Sequence, residues 1–227
     1  MSESPLTFSP DLHEYRLGDR RLASVTEVLE AVLRTSSPWW TPAHRFRGTA
    51  VHAIVAAINQ GDYDPAGTVF PASWTEADRD GVTKRTEAYQ NFVESTGYES
   101  LFTELRVHSE SMGIAGTLDT IGYQRKGSFA DKLTLIDLKS GQPTPSSVLQ
   151  VSLYSQLVQE LPPMMGWDKL EIVRVVLHCQ PNGKSRPVFR YGSEAKQDDA
   201  DARAVLRTFR FLERHNLLQS KNGSKRS

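Results

Sequence analysis

Apolar and polar positions follow helical spacing in the N-terminal part of this 227-residue chain, after one short hairpin. Helices begin and end at recognisable residues, because capping side chains, N-terminal proline and C-terminal glycine each satisfy or relieve terminal backbone groups. The signals are a turn at Gly18-Asp19, a capping box from Ser24 to Glu27, an N-cap at Thr41 before Pro42, and helix-ending glycines at Gly61 and Gly97. The pattern predicts a hairpin followed by three helices.

The spacing changes to strand-like alternation after Gly97. The segments "ESLFTELRVHS", "GIAGTLDTIGYQ" and "KLTLIDLKSG" predict three consecutive strands joined by short turns. The segment "SSVLQVSLYSQLVQEL" returns to helical spacing, and two further strands flank the tight-turn signal Asn182-Gly183. A last helix, with acidic residues at its start, is predicted for roughly 197–217. We therefore expect one α/β domain over residues 1–217, with a mobile tail at 218–227.

Composition narrows the classes of function only slightly. The chain carries 27 basic and 27 acidic residues, so net charge neither indicates nor excludes a nucleic-acid partner. The single cysteine, Cys179, excludes an intrachain disulfide, a four-cysteine zinc site and an intrachain iron–sulfur cluster. No apolar run is long enough for a membrane span, and the N-terminus does not resemble a signal peptide. We expect a cytoplasmic protein with no membrane partner.

One predicted strand carries two charges on a face that should be buried. Leu133, Leu135, Asp137 and Lys139 alternate onto one face, and the opposite face is also largely apolar, which is typical of a central strand. Burying a charge is costly unless it is paired or binds a metal. A purely structural Asp–Lys ion pair is one interpretation of this pattern.

Asp119, on the preceding predicted strand, favours a second interpretation. If the two strands are neighbours, Asp119 and Asp137 converge, and both stay ionised only when a cation lies between them. Hard oxygen ligands favour Mg²⁺ or Mn²⁺ over zinc. Lys139 would then face a water held by the metal, which is an arrangement suited to hydrolysis of a phosphate ester.

Three further features are weak alone but fit this interpretation. His52 lies one helical turn after Gly48, although an isolated histidine there is more often a core residue. Glu104 precedes Asp119 on the first strand of the meander and would alone be an exposed charge. Gln150 and Tyr154 share one face of the later helix, where the simpler explanation is packing on the sheet.

The ordered set G-x-x-x-H, E, G-x-x-D, D-x-K and Q-x-x-x-Y resembles the PD-(D/E)XK nuclease superfamily. Within it, the chain is similar to the RecB-like branch, which includes small phage exonucleases. The segments that carry the resemblance are "RGTAVH", "GTLD", "IDLKSG" and "QVSLY", and it covers about residues 13–160. The resemblance implies a restriction-endonuclease-like core, in which helices flank a central mixed β-sheet containing the three-strand meander.

The resemblance also implies roles for individual residues. Asp119, Asp137, His52 and the backbone carbonyl of Leu138 would bind the metal, and Lys139 would position or activate water. Glu104 would be a supporting acid near the metal. The predicted substrate-binding residues are Gln150, Tyr154, Arg45, Arg47 and Ser140.

The function implied is a Mg²⁺-dependent DNA nuclease of exonuclease type, with Mn²⁺ able to substitute. It would serve recombination, repair or phage DNA processing, with DNA and a single-strand annealing or other recombination protein as partners. Two alternatives stay open: a structure-specific endonuclease such as a junction resolvase, and a non-catalytic DNA-binding module of the same fold. No ATP is expected, because "PNGKS" at 181–185 lacks the first glycine of a P-loop.

Overall fold

The structure is a computed structural model that describes residues 5–34, 42–141, 144–161, 165–167 and 170–218, with the backbone alone for 42–45. Within these residues no helix combines the length and apolar character needed to cross a membrane. The elements are, in chain order, β1 (Leu6–Ser9), β2 (Glu14–Leu17), β3 (Arg20–Ser24), α1 (Val25–Leu33), α2 (Pro42–Gln60), α3 (Glu76–Thr96), β4 (Glu99–Ser109), β5 (Ile114–Tyr123), β6 (Leu133–Lys139), α4 (Pro145–Gln159), β7 (Val173–Cys179), β8 (Ser185–Arg190) and α5 (Gly192–Arg214).

The eight strands form one mixed sheet. Strands β4, β5 and β6 pair antiparallel in sequence order, which confirms the predicted meander. Strand β6 then pairs in parallel with β7, since α4 provides the crossover, and β8 pairs antiparallel with β7. The N-terminal strands β1 to β3 join the sheet through a short parallel pairing of β3 with β5.

Strand β5 is paired along one edge and interrupted along the other. Strand β4 follows one edge of β5 over nearly its whole length. The other edge pairs with β3 at Ile114–Ala115 and with β6 at Thr120–Tyr123. Among the described residues, 116–119 therefore have no strand partner on that edge, and the sheet opens between β3 and β6.

Helices cover both faces of the sheet. Helices α1, α4 and α5 pack on the face that includes Leu135, and α2 and α3 pack on the face that includes Ile136 and Leu138. Strand β6 is consequently buried on both sides, as its apolar pattern predicts. The architecture is the restriction-endonuclease-like α/β fold expected from the sequence.

Two local predictions differ from the structure. Strand β1 was not predicted, since four residues with mixed polarity give little signal. Helix α5 begins at Gly192 rather than near residue 197, because the acidic residues that suggested a later start have other partners. Asp198 pairs with Arg190 at 2.6 Å, and Asp199 pairs with Arg174 at 2.8 Å.

The ends of several predicted segments fall outside the described residues. These include the N-cap predicted at Thr41 and the tail predicted for 218–227, apart from Leu218. The N-cap at Ser24 and the helix end at Gly97 are confirmed: Ser24 accepts a hydrogen bond from the backbone N–H of Glu27, and Gly97 ends α3 with a left-handed φ of 58°. The capping box is only half formed within the described residues, and the Glu27 carboxylate pairs with Arg21 at 2.7 Å instead.

Candidate metal centre

Asp119 lies at the opening between β3 and β6 and bonds to two other elements. The β5–β6 ladder ends at Thr120 and Ile136, so the same register places Asp119 opposite Asp137. The Oδ2 atom of Asp119 accepts a hydrogen bond of 2.6 Å from the backbone N–H of Leu138. Its Oδ1 atom lies 3.1 Å from Nδ1 of His52 on α2. The carboxylate thus replaces the strand pairing that is missing at this point.

His52, Glu104 and Asp119 form a compact group of ligand atoms. One nitrogen or oxygen atom from each of the three lies within 4.8 Å of the others. Glu104 faces Asp119 across the β4–β5 ladder, and its backbone has a left-handed φ of 52°. Such a conformation is uncommon for a residue with a side chain and tends to occur where function requires it.

The protonation of this group departs from that of isolated side chains. The carboxylate of Asp119 raises the pKa of His52 to about 9, against the opposing effect of burial. Burial alone would raise the pKa of Asp119, but the neighbouring His52 lowers it below its usual value. Burial, and then the charge of Asp119, raise the pKa of Glu104. A charged His52 therefore compensates an ionised Asp119.

Asp137 and Lys139 are in direct contact at the end of β6. Lys139 Nζ lies 2.8 Å from Oδ2 of Asp137. That oxygen is buried and has no partner with hydrogen-bond geometry among the described residues, so the contact is an ion pair without an aligned hydrogen bond. Burial raises the pKa of Asp137, Asp119 adds to the rise, and Lys139 offsets it only in part. The ion pair suggested by the sequence exists, yet it leaves this carboxylate incompletely compensated.

Lys139 is held from a second side by α4. Its Nζ donates a hydrogen bond of 3.0 Å to Oε1 of Gln150, and Nε2 of Gln150 lies 3.4 Å from the hydroxyl of Tyr154. The Tyr154 ring covers Gly116, where an added Cβ would lie 2.5 Å from Cε1 of the ring. The glycine three residues before Asp119 is therefore required by close packing of Tyr154.

Gly48 does not have the same steric role. An added Cβ there would lie 3.5 Å from Oγ of Ser140, which is an ordinary contact. The close packing that requires a glycine occurs at Gly116 instead.

The predicted DNA-binding residues are placed unevenly. Arg47 forms an ion pair of 2.7 Å with Asp78 at the start of α3, so its guanidinium already has an acidic partner. The side chain of Arg45 lies outside the described residues. Ser140 follows Lys139 directly, and its carbonyl accepts a hydrogen bond of 3.1 Å from Nε of Arg85.

The donor set suits a hard divalent cation. Carboxylate oxygens dominate it, with one imidazole, and this combination favours Mg²⁺ or Mn²⁺ over softer metals. The buried Oδ2 atom of Asp137, which lacks a hydrogen bond, is the kind of atom that a cation would satisfy. Asp137 is not part of the compact group of His52, Glu104 and Asp119, and it contacts Lys139 instead. Metal binding by all four of these side chains and by the Leu138 carbonyl stays a prediction.

Sequence reasoning missed several residues around this centre. The hydroxyl of Tyr15, from the N-terminal hairpin, lies 2.9 Å from that of Thr117 on the open edge of β5. His178 on β7 pairs in register with Lys139. Neither contact could be read from local spacing, because each joins segments far apart in the chain.

Comparison with known proteins gives a consistent family. A family model described as "PD-(D/E)XK nuclease superfamily" matches residues 28–220, which is most of the chain. That segment includes every predicted site residue. A search of the curated proteins finds no match.

Solved structures with detectable similarity include two exonucleases. A putative exonuclease from Eubacterium rectale is 10% identical, with 89% of this chain and 91% of that chain covered and a TM-score of 0.46. An alkaline exonuclease from Laribacter hongkongensis is 12% identical, with 86% and 93% covered and a TM-score of 0.34. Its complex with dAMP gives 14% identity, the same coverage and a TM-score of 0.32. TM-scores at this level carry no further conclusion about this chain.

Proposed function

The chain belongs to the PD-(D/E)XK nuclease superfamily, and from this membership we propose that it is a divalent-metal-dependent DNA exonuclease. The observation that carries the proposal is the convergence of His52, Glu104 and Asp119 beside the ion pair of Asp137 and Lys139. Acidic groups at such close range need a cation, and a lysine next to them can act on a phosphate.

In this proposal each residue has a separate task. Asp119, Asp137, His52 and the Leu138 carbonyl hold the ion, with Glu104 as a further acid. A bound Mg²⁺ or Mn²⁺ ion supplies Lewis acidity toward water and the phosphate. The chain itself provides a rigid support, because the backbone of Leu138 fixes Asp119 and the side chain of Gln150 fixes Lys139.

Lys139 is the residue proposed to act on the reacting groups. Its pKa is raised, because Asp137 and Asp119 outweigh the effect of burial, so it carries a positive charge at neutral pH. From its position at the end of β6, it can orient the attacking water and stabilise negative charge on the phosphate. The water oxygen bonds to phosphorus and gives up a proton, the bond from phosphorus to the leaving oxygen breaks, and the leaving oxygen takes a proton. The products are one phosphate end and one hydroxyl end.

The biological process, the protein partner and the DNA-contacting residues are part of the same proposal. The resemblance to the RecB-like branch, which includes small phage exonucleases, supports a role in DNA recombination, repair or phage DNA processing in the cytoplasm, with a recombination protein as partner. Gln150, Tyr154, Ser140, Arg45 and Arg47 are proposed to contact or support the DNA. For Arg47 this requires that the ion pair with Asp78 be exchanged or shared.

The test is digestion of DNA of defined topology in Mg²⁺. Linear duplex labelled at either the 5′ or the 3′ end, labelled single strands and closed circular duplex are each incubated with wild type, Lys139→Ala and Lys132→Ala. Lys132 is an exposed lysine just before β6 and is the matched control. We expect wild type and Lys132→Ala to degrade linear DNA from an end, and Lys139→Ala to be inactive.

Each other outcome points elsewhere. Cleavage of closed circles would support the endonuclease alternative. Absence of Mg²⁺-dependent cleavage by wild type would favour the non-catalytic module. Equal degradation by wild type and Lys139→Ala would show that another site, or a contaminant, cuts the DNA.

A further inference from the structure

A cavity of about 220 Å³ lies directly beyond Lys139, at the ends of β6, β7 and β8. Its lining includes Ser140 and Gly141 after β6, His178 on β7, and the side chains of Arg85 and Arg186. No acidic residue is among the described residues that line it. A cavity with this lining is suited to an anion.

Strand register places two of these side chains, His178 and Arg186, in one row with Lys139. Lys139 pairs with His178, and His178 pairs with Arg186 on β8. Directly paired residues on adjacent strands point to the same face of a sheet. The row therefore leads from the proposed catalytic lysine to the outer strand of the sheet.

His178 is a buried polar side chain with one ring nitrogen that makes no hydrogen bond to the described residues. The residue is 3% exposed, and its Nε2 atom has no hydrogen-bond partner among the described residues. Burial lowers the pKa of His178, a hydrogen bond with the backbone of Gly141 opposes this, and the charges of Lys139 and Arg186 lower it further. A bound anion would reverse the balance of charge and favour the protonated imidazole, which donates from Nε2.

The two arginines supply positive charge to the cavity, Arg85 from a fixed position and Arg186 from an exposed one. Arg85 is held in place by donating hydrogen bonds to the carbonyls of Ser140 and Gly81, at 3.1 Å and 2.6 Å. Arg186 is exposed and forms no ion pair within the described part of the chain. An exposed guanidinium without an acidic partner is available to bind a phosphate group.

We propose that this cavity binds a backbone phosphodiester of the cleaved DNA strand, within roughly three nucleotides of the scissile phosphate. The proposal rests on the nuclease function proposed above. The volume is about seven times the ~30 Å³ of a liquid water molecule, so a phosphate group fits. Neighbouring strands lie about 4.8 Å apart, so Arg186 is about 10 Å from Lys139, within roughly three nucleotide steps of one strand.

The test compares Arg186→Gln with Arg203→Gln, a substitution of an exposed arginine on α5 away from the cavity. Steady-state cleavage is measured on linear DNA with 5′-hydroxyl and with 5′-phosphate ends. Binding of the same labelled DNA is measured by fluorescence anisotropy in EDTA, at several salt concentrations. The second readout needs no catalysis, so it separates failure of this inference from failure of the nuclease function.

We expect Arg186→Gln to raise KM about tenfold on both kinds of end, with kcat within about twofold, and to reduce the salt slope of binding by about one. Arg203→Gln should match wild type in both assays. Unchanged KM and salt slope for Arg186→Gln, or an equal effect of Arg203→Gln, would overturn the proposal. An effect confined to 5′-phosphate ends would also overturn it, since the cavity would then hold a terminal phosphate. If wild type binds DNA with the expected difference from Arg186→Gln but cleaves none, only the nuclease function fails.

Discussion

Asp119 accepts a hydrogen bond from the backbone N–H of Leu138, at 2.6 Å, at the point where the pairing of their strands stops. A side chain that is proposed to bind metal therefore also closes the sheet. Because of this double role, we expect substitution of Asp119 by alanine and by asparagine to have different effects on stability.

Asp119→Ala should be less stable than Asp119→Asn. The amide oxygen of asparagine can still accept the bond from Leu138, whereas alanine leaves that N–H unpaired. The expected difference in the free energy of unfolding is about 1–3 kcal/mol. Urea denaturation of both variants in EDTA measures it, and equal stabilities would show that the hydrogen bond contributes nothing.

Gly116→Ala should damage the site although it adds only a methyl group. The new Cβ would collide with the ring of Tyr154 and displace it from Gln150, which holds Lys139. We expect a loss of about 1–3 kcal/mol in stability and a lower cleavage rate. Gly48→Ala is the matched control, because its nearest neighbour lies at an ordinary 3.5 Å. Equal tolerance of both substitutions would contradict the packing described for Tyr154.

Lys139→Met should destabilise the protein more at high pH than at low pH. Asp137 already has a folded pKa of about 6, above its unfolded value, so its ionisation opposes folding. Without Lys139 this pKa rises further. The loss of stability relative to wild type is therefore absent where Asp137 is protonated in both folded proteins, and it grows as pH rises through the wild-type folded pKa of about 6.

The measurement is urea unfolding of wild type and Lys139→Met at about pH 4 and about pH 8. We expect the free energy of unfolding of Lys139→Met to equal that of wild type at the lower pH and to be about 1–3 kcal/mol smaller at the higher pH. The effect is of this moderate size because Lys139 is 25% exposed and the pair is not fully buried. A deficit that does not change with pH would mean that Lys139 contributes through packing alone.

Metal binding should release protons from His52. Beside Asp119 the pKa of His52 is about 9, so the imidazole is charged at about pH 7.5 and must lose its proton to bind an ion. Calorimetric titration of Mn²⁺ in buffers of different ionisation enthalpy should report close to one proton released. His52→Gln should release about one proton fewer. Equal proton release by the two proteins would place the metal away from His52.

Local patterns in the sequence predicted much of the fold. Alternation along β6 predicted a central strand with Asp137 and Lys139 on one face, and capping residues predicted the ends of α1 and α3. The order of the motifs also predicted that His52 and Asp119 approach each other. These features depend on near neighbours or on a sequence pattern that covers the whole site.

The remaining features depend on contacts between distant segments. The parallel pairing of β3 with β5, which leaves residues 116–119 open, joins segments about 90 residues apart. The left-handed backbone of Glu104 and the collision that makes Gly116 necessary arise from packing, and no residue type signals them. The same is true of His178, whose relation to Lys139 exists only through strand register.

The central claim is that the acidic cluster at Asp119 is a metal-dependent catalytic site for DNA cleavage. Its most direct test is the single-turnover rate of cleavage of end-labelled linear DNA in Mg²⁺ by wild type, Asp119→Asn and Asp131→Asn. Asp131 is an exposed aspartate in the β5–β6 connection and controls for loss of one carboxylate. We predict equal rates for wild type and Asp131→Asn, none in EDTA, and a loss of roughly 100-fold or more for Asp119→Asn. Equal rates for all three proteins, or cleavage that persists in EDTA, would contradict the claim.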